Sequence, residues 1–174
     1  MNADSLTTEE PSSFHIRKAE EKDWDDAMEL AFKIFLKYEA DEYGKEGTEH
    51  FASFVTDSVL KKMFLKGEYK LFLAEQGTQL IGLISLRNGN HISLLFVDDK
   101  YHRRGVGSAL IGYLTQFMKL MTDFQKITVN AAPYGIPFYH NVGFSDMGPM
   151  MEKDGIRFVP MELYLNSVAL NEKK

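Results

Sequence analysis

The sequence contains no cysteine, so its 174 residues form neither a disulfide bond nor a catalytic thiolate. A chain without disulfides suits the reducing cytoplasm, which is the compartment we expect. Long apolar runs are also missing, since LIGLISL and SLLFV fall far short of the roughly 20 residues that a membrane-spanning helix needs. The opening MNADSLTTEEPSS has acidic residues where a secretory signal would have basic and then apolar ones. We therefore expect an intracellular protein without a membrane partner.

An excess of positive charge is missing as well. The formal net charge is -5, and nucleic-acid binding needs a basic face, so we expect no nucleic-acid partner. The five histidines include no H-E-x-x-H motif or other close pair of ligands, and we expect no metal site. The pattern Gly-x-Ser-x-Gly is absent too, which leaves no reason to expect a serine acyl-enzyme.

The remaining composition is that of a soluble globular chain, with 44% hydrophobic and 26% charged residues. A chain of this length is most simply one domain that buries a sizeable core. We place that domain at residues 14–165, between a flexible N-terminal tail at 1–13 and a C-terminal tail at 166–174.

Hydrophobic periodicity predicts an alternation of strands and helices. Strands are expected at 14–19, 69–76, 80–88, 91–98 and 126–131, helices at 20–44, 48–67, 108–124 and around 135–141, and a closing hairpin over 144–165. A helical crossover between the fourth and fifth strands makes those two strands parallel neighbours. The predicted fold class is therefore α/β (α+β), with a mixed, mostly antiparallel sheet, one parallel pair and about four flanking helices.

The segment YHRRGVGSAL places a pair of glycines between a strand and a helix. The glycines permit positive φ angles and a close approach of the backbone, while the helix start offers N–H groups without partners. The arginines add positive charge and the serine adds a hydroxyl, so the segment is typical of a phosphate site. A plain tight turn with solvated arginines is the alternative. The candidate phosphate-binding residues are Arg103, Arg104, Gly105, Val106, Gly107 and Ser108.

Two common phosphate motifs do not fit this segment. The dinucleotide fingerprint requires a third glycine where Leu110 stands, and it normally follows the first strand of a domain. A P-loop requires Gly-Lys-Ser or Gly-Lys-Thr, which the sequence lacks.

The stretch LFVDDKYHRRGVGSAL, residues 95–110, resembles the acyl-CoA pyrophosphate loop of the GNAT superfamily of N-acyltransferases, whose pattern is Gln/Arg-x-x-Gly-x-Gly/Ala. A second stretch, NAAPYGIPFYHNVGF at residues 130–144, is similar to the FY-x-x-x-GF segment of the same family. The order of predicted elements matches as well. Two positions depart from the family pattern, because Asp99 stands where proline is common and His102 where glutamine or arginine is usual.

The resemblance implies that the fourth and fifth strands splay apart around the pantetheine arm of acetyl-CoA, the expected co-substrate. Backbone groups near Phe96, Val97 and Asp98 would pair with that arm, and one N–H would serve as an oxyanion donor. Asn130 either hydrogen-bonds the pantetheine or caps the next segment, and the asparagine that many relatives carry just after the strand falls near Ala132.

The resemblance also implies an N-acetyltransferase in which a primary amine of a small molecule or peptide attacks the thioester directly. Tyr139 stands where the family commonly has the tyrosine that protonates the CoA sulfur, and its alternative role is that of a packed aromatic. The general base stays open among Glu39, Asp41, Glu42, His50, His91, Asp98 and a chain of waters.

The remaining candidate residues and functions are assigned as follows. The segment GPMM at 148–151, with Phe35, Tyr38, Tyr43 and Tyr134, forms either an apolar wall of the acceptor pocket or core packing, while His15 and His140 are expected to be structural. Family members are often dimers, so a homodimer is possible. Two other functions stay open: a catalytically weak acyl-CoA-binding module, and a different nucleotide-phosphate enzyme.

Overall fold

The computed structural model describes residues 13–166, so the predicted tails at 1–13 and 166–174 lie outside it except for Ser13 and Asn166. Its strands and helices are, in chain order, β1 (His15–Lys18), α1 (Trp24–Tyr38), α2 (Ala40–Val55), α3 (Ser58–Leu65), β2 (Lys70–Gln76), β3 (Gln79–Arg87), β4 (His91–Val97), α4 (Val106–Met121), β5 (Lys126–Ala131), α5 (Ile136–Asn141), β6 (Ser145–Asp146), β7 (Met151–Lys153) and β8 (Ile156–Tyr164). Single turns of 3-10 helix lie at Glu21–Asp23, Asp99–Tyr101 and Pro133–Gly135.

The predicted helices at the N-terminal end are divided differently in the structure. The first ends at Tyr38, because Glu39 leaves the helical conformation with φ −123° and ψ −25°. The next, α2, is kinked at Gly44, whose φ of 67° favours glycine. A break then separates α2 from α3, where the Asp57 side chain caps the new helix by accepting the Val59 N–H at 2.7 Å. The described residues therefore contain five α-helices instead of about four.

The eight strands form a mixed sheet in the order β1-β2-β3-β4-β5-β8-β6, with β7 paired to β8 off this path. Among the strands of residues 13–166, only β4 and β5 run parallel, as the helical crossover predicts, and the other pairings are antiparallel. The predicted fold class is thereby confirmed. The closing hairpin is β7–β8, and β6 is an additional short strand that pairs with the far end of β8.

Two apolar cores cover the two faces of the sheet. Helix α4 packs on one face through Val106, Leu110 and Leu114, together with residues of α5. Helix α1 packs on the other face through Ala31 and Phe35, and α2 and α3 extend that core. Within the described residues, no helix is long and apolar enough to span a membrane.

Strand β4 contains a bulge at Ser93. In the register with β3, Ser85 lies opposite Leu94 and Leu86 lies opposite Ile92, so Ser93 is the extra residue. Because a bulge adds one residue, the side chains that follow it point to the opposite face of the sheet from the one that the alternation would otherwise give. Ile92 accordingly packs in the core beneath α4, whereas Leu94, two residues later, packs beneath α1.

Strands β4 and β5 separate at this bulge. They are paired only at His91 with Thr128 and at Ile92 with Val129. Beyond that point β4 continues along β3 as far as Val97, while β5 continues along β8. The result is a gap that opens towards the carboxyl ends of both strands.

A buried tyrosine holds the bulged strand. The Tyr69 hydroxyl lies 2.6 Å from Ser85 Oγ and donates to Ser93 Oγ at 3.0 Å, and only 1% of Tyr69 is exposed. Burial raises the pKa of Tyr69, so the hydroxyl stays protonated and able to donate.

Replacing this tyrosine tests the contribution of its hydroxyl. Tyr69→Phe leaves the buried Ser85 hydroxyl without its partner, so we expect the free energy of unfolding in urea to fall by about 1–3 kcal/mol. Tyr113→Phe removes an exposed hydroxyl from α4 and is the matched control, with an expected change below about 0.5 kcal/mol. Equal losses in the two variants would contradict a specific role for Tyr69.

Candidate functional site

The loop after β4 leads into α4 through a left-handed glycine. Gly105 has φ 81° and caps the helix, and Ala109 N–H donates to its carbonyl at 3.0 Å. That bond is the first of the helix, so the N–H groups of Val106, Gly107 and Ser108 have no acceptor within α4. Three backbone donors and the positive end of the helix dipole therefore face the end of the gap.

Close packing fixes the position of this helix start. A Cβ atom on Gly107 would lie 3.1–3.2 Å from ring carbons of Phe138, so a side chain there would require the Phe138 ring to move by a few tenths of an ångström. Gly82 on β3 plays the same part beneath the helix, since its Cβ would lie 3.2 Å from Val106. The helix start is thus closely packed between the sheet and α5. We refer to residues 103–108, which include its backbone donors, as the cradle.

Two arginines place positive charge in this loop. Arg103 and Arg104 are both exposed, and neither forms an ion pair with another described residue. The Arg104 guanidinium lies 5.4 Å from the centre of the Tyr101 ring. The loop thus combines backbone donors with two guanidinium groups that have no described ion-pair partner, a composition typical of an anion site.

His102 has a structural contact that the sequence did not predict. Its Nε2 donates to the Val97 carbonyl at 2.7 Å and so holds the last residue of β4. The imidazole also stands beside the Tyr38 ring, with centroids 5.1 Å apart. The histidine that departs from the family pattern at this position thus connects the loop to β4 and α1.

The backbone N–H groups of Phe96, Val97 and Asp98, the three predicted positions on β4, differ in whether they point into the gap. Asp98 N–H already donates to Ile81 O at 2.8 Å, and the Asp98 carboxylate accepts the Lys100 N–H at 3.0 Å. Successive residues of a strand point their N–H groups to opposite sides. The N–H of Phe96 therefore points towards β3, like that of Asp98, whereas the N–H of Val97 points towards the gap. Asn130 is exposed and lies one residue beyond the last pairing of β4 with β5.

Tyr139 lies in α5, beside the cradle. Its ring packs edge-on against Phe138 and Phe144, each with a centroid separation of 5.3 Å. Burial is the main cause that raises the pKa of Tyr139, and the charges of Glu39 and Tyr43 raise it further. Tyr139 belongs to the core beneath α4, whereas Tyr43 packs with the α1 core, so the charges that act on Tyr139 come from the other side of the sheet.

Glu39 joins α1 to α2 and is a partly buried carboxylate without a partner. It forms no ion pair or side-chain hydrogen bond with any residue in the described range 13–166. Burial raises its pKa to about 7. Burial also raises the pKa of Tyr43 and Tyr134, and the nearby Glu39 carboxylate contributes to both shifts.

Other candidate bases have different surroundings. His91 Nδ1 lies 2.8 Å from Thr128 Oγ1, at the paired end of β4 and away from the cradle, and burial lowers its pKa to about 4. Glu42 forms an ion pair with Arg157. Asp41 and His50 are exposed on α2.

The remaining assignments are placed as follows. His15 lies 3.3 Å from Glu75, and His140 lies 2.7 Å from Asp146, which fits structural roles. In the GPMM segment the two methionines are about half exposed, at 45% and 51%. No group of three or more potential ligands among the described residues could hold a metal ion.

The Glu39 carboxylate makes stability depend on pH. Its folded pKa is raised above 4.5 to about 7, so its contribution to stability is present below pH 4.5 and is lost as the pH rises through 7. We expect Glu39→Gln to gain about 1–2 kcal/mol of unfolding free energy relative to wild type between pH 5 and pH 8. Glu49→Gln, an exposed change on α2, should show no such trend in urea titrations, and a flat difference for both variants would refute the assignment.

Comparisons with known proteins identify the family of this chain. Residues 39–165 match the family model described as acetyltransferase (GNAT) domain. The chain is 33% identical over 90 residues to the uncharacterized N-acetyltransferase YafP of Escherichia coli (strain K12), covering 52% of this chain and 54% of that protein. It therefore spans about half the length of this curated relative.

Solved structures share the fold. The GCN5-related N-acetyltransferase from Rhodopseudomonas palustris, also described as an aminotransferase, class-II, has a TM-score of 0.75 and 22% identity over 88% of this chain and 96% of that chain. Spermidine N-acetyltransferase from Vibrio cholerae, in complex with CoA and spermine, has a TM-score of 0.67 and 18% identity over 91% and 99%. Because the family model covers well over half of its residues, this chain belongs to the acetyltransferase (GNAT) domain family.

Proposed function

We propose that this chain is an N-acetyltransferase that moves an acetyl group from acetyl-CoA to a primary amine. The observation that carries the proposal is the gap between β4 and β5, which has an anion cradle at one end and a buried tyrosine beside it. The amine acceptor is supported by the structural relative that was solved with CoA and spermine.

The cradle and the gap provide a site for acetyl-CoA. The N–H groups of Val106, Gly107 and Ser108, with the Arg103 and Arg104 guanidinium groups, would hold the diphosphate. Backbone groups of β4 that face the gap would hold the pantetheine arm in the manner of a neighbouring strand. Acetyl-CoA supplies the activated thioester, whose acetyl carbon is the centre of attack.

Two groups of the chain serve the chemistry at this centre. Val97 N–H faces the gap and would donate to the thioester oxygen, on which negative charge develops during attack. Tyr139 would hold the proton that the departing sulfur requires, because its raised pKa keeps the hydroxyl protonated at neutral pH. Phe138 and Phe144 fix the orientation of its ring.

The first test concerns the cradle. Gly107→Ala places a methyl group 3.1 Å from the Phe138 ring, so the ring or the helix start must move by a few tenths of an ångström, and we expect acetyl-CoA to bind at least about tenfold more weakly by calorimetry. Gly112→Ala on the same helix meets nothing within 4 Å and is the control, with unchanged affinity. Unchanged affinity in a folded Gly107→Ala protein would contradict the assignment of the cradle.

The second test concerns the reaction. Wild-type protein should release free thiol from acetyl-CoA when a primary amine is added, and Tyr139→Phe should slow this release by about 10²-fold or more while binding acetyl-CoA normally. Tyr113→Phe serves as the control. Full activity of Tyr139→Phe would remove this residue from the mechanism, and binding of acetyl-CoA without thiol release on any amine would favour an acyl-CoA-binding module.

A further inference from the structure

The last residue of β4 turns both of its backbone polar groups towards the gap. Asp98 N–H bonds to β3 through the Ile81 carbonyl, so the N–H and C=O groups of the preceding Val97 point away from β3. Pairing with β5 reaches no further along β4 than Ile92. Val97 therefore presents one backbone donor and one backbone acceptor to the gap, where a continuous sheet would have paired them with the next strand.

His102 takes up one of these two groups. Its Nε2 lies 2.7 Å from the Val97 carbonyl oxygen, and the imidazole N–H is the donor because a carbonyl can only accept. This bond closes the loop that leads from β4 to α4 and gives the carbonyl the partner that β5 does not supply. The Val97 N–H takes no part in the contact and still points into the gap.

Contacts from both sides of the gap orient the His102 ring. The ring lies 5.1 Å from that of Tyr38 in α1, and Tyr38 stacks in turn at 5.5 Å on Tyr134, which follows β5. An ion pair of Lys37 with Asp99 joins the same end of α1 to the loop. The bond to Val97 is therefore supported by side chains from three separate segments of the chain.

The backbone directly after His102 has an uncommon conformation. Arg103 has a φ of 61°, which a residue with a side chain seldom adopts. The chain thus turns sharply here, so the His102 ring points back to β4 while the backbone continues to Gly105 and α4. Backbone strain of this kind persists where the surrounding contacts fix it.

We propose that His102 is a positioning residue for the thioester of acetyl-CoA. By holding the Val97 carbonyl, it keeps the N–H of the same residue aimed at the thioester oxygen. This inference rests on the function proposed above, in which that N–H is the oxyanion donor. The imidazole acts through Val97 and does not itself contact the reacting atoms.

Two physical effects connect this bond with the reaction. The N–H and C=O groups of one extended residue point to the same edge, so a bare Val97 carbonyl would place partial negative charge close to the developing oxyanion. The His102 N–H offsets that charge. It also fixes one end of the peptide between Val97 and Asp98, whose other end is held by the Asp98 N–H at 2.8 Å from Ile81 O. A donor held in this way needs no reorganisation when the amine attacks.

Two substitutions at one position test the hydrogen bond. His102→Ala removes the donor, and we expect kcat for acetyl transfer to a primary amine to fall at least about tenfold while acetyl-CoA affinity by calorimetry changes less than about threefold. His102→Gln keeps a side-chain N–H of similar reach and should restore kcat to near the wild-type value. His15→Ala and His15→Gln, at an exposed site on the edge strand β1, are the matched controls and should leave both measurements unchanged.

An infrared measurement tests the position of the thioester without any turnover. The probe is acetyl-CoA isotopically labelled at its acetyl carbonyl, because a hydrogen bond to that oxygen lowers the carbonyl stretching frequency. We expect the band to lie at a higher frequency in the His102→Ala complex than in the wild-type complex, and at the wild-type frequency in His102→Gln and His15→Ala. A purely structural role would not move the band in protein that is folded and saturated with acetyl-CoA.

The outcomes separate this inference from the proposed function. A wild-type band or wild-type kcat in His102→Ala, or equal losses of kcat in His102→Ala and His102→Gln, overturns the positioning role and leaves acetyl transfer intact. A loss of acetyl-CoA affinity that accounts for the whole loss of activity also overturns it, because His102 then only shapes the cradle. A shifted band in a protein that releases no thiol with any amine overturns the proposed reaction but supports the placement of the thioester by His102.

Discussion

The structure depends most on the separation of two parallel strands that begin as neighbours. Strands β4 and β5 are paired at only two positions, and the bulge at Ser93 directly follows the last paired residue of β4. A bulge adds twist and bends its strand, so β4 can remain on β3 while it leaves β5. The Tyr69 hydroxyl, bound to serines on both β3 and β4, holds this geometry in the interior.

This separation brings the two sides of the sheet into contact. Elsewhere the sheet divides the core beneath α4 from the core beneath α1. At the gap, the charge of Glu39 from one side helps to raise the pKa of Tyr139 on the other. The Tyr38 ring lies 5.1 Å from the His102 ring in a tilted contact and stacks on Tyr134 at 5.5 Å. Under the function proposed above, the acyl donor and the amine would meet in this region.

Local sequence patterns predicted much of this arrangement. Alternation and helical spacing found β1 to β5 and the parallel crossover, because these patterns reflect which face of an element is buried. The glycine pair before α4 was recognisable because positive φ and close approach leave few alternatives to glycine. Helix boundaries near Glu39 and Thr56 were missed, since the apolar periodicity of α1, α2 and α3 continues across both breaks.

The sequence by itself determined the fold class, the cradle before α4 and the tyrosine in α5, since each depends on residues close together along the chain. Only the tertiary structure decided which β4 residue faces the gap, because the bulge at Ser93 reverses the strand's faces without a sequence signal of its own. It also distinguished Glu39, which is partly buried, from Asp41 and Glu42, which are exposed. Whether a carboxylate is paired or alone depends on partners such as Arg157, which lies more than a hundred residues away in the chain.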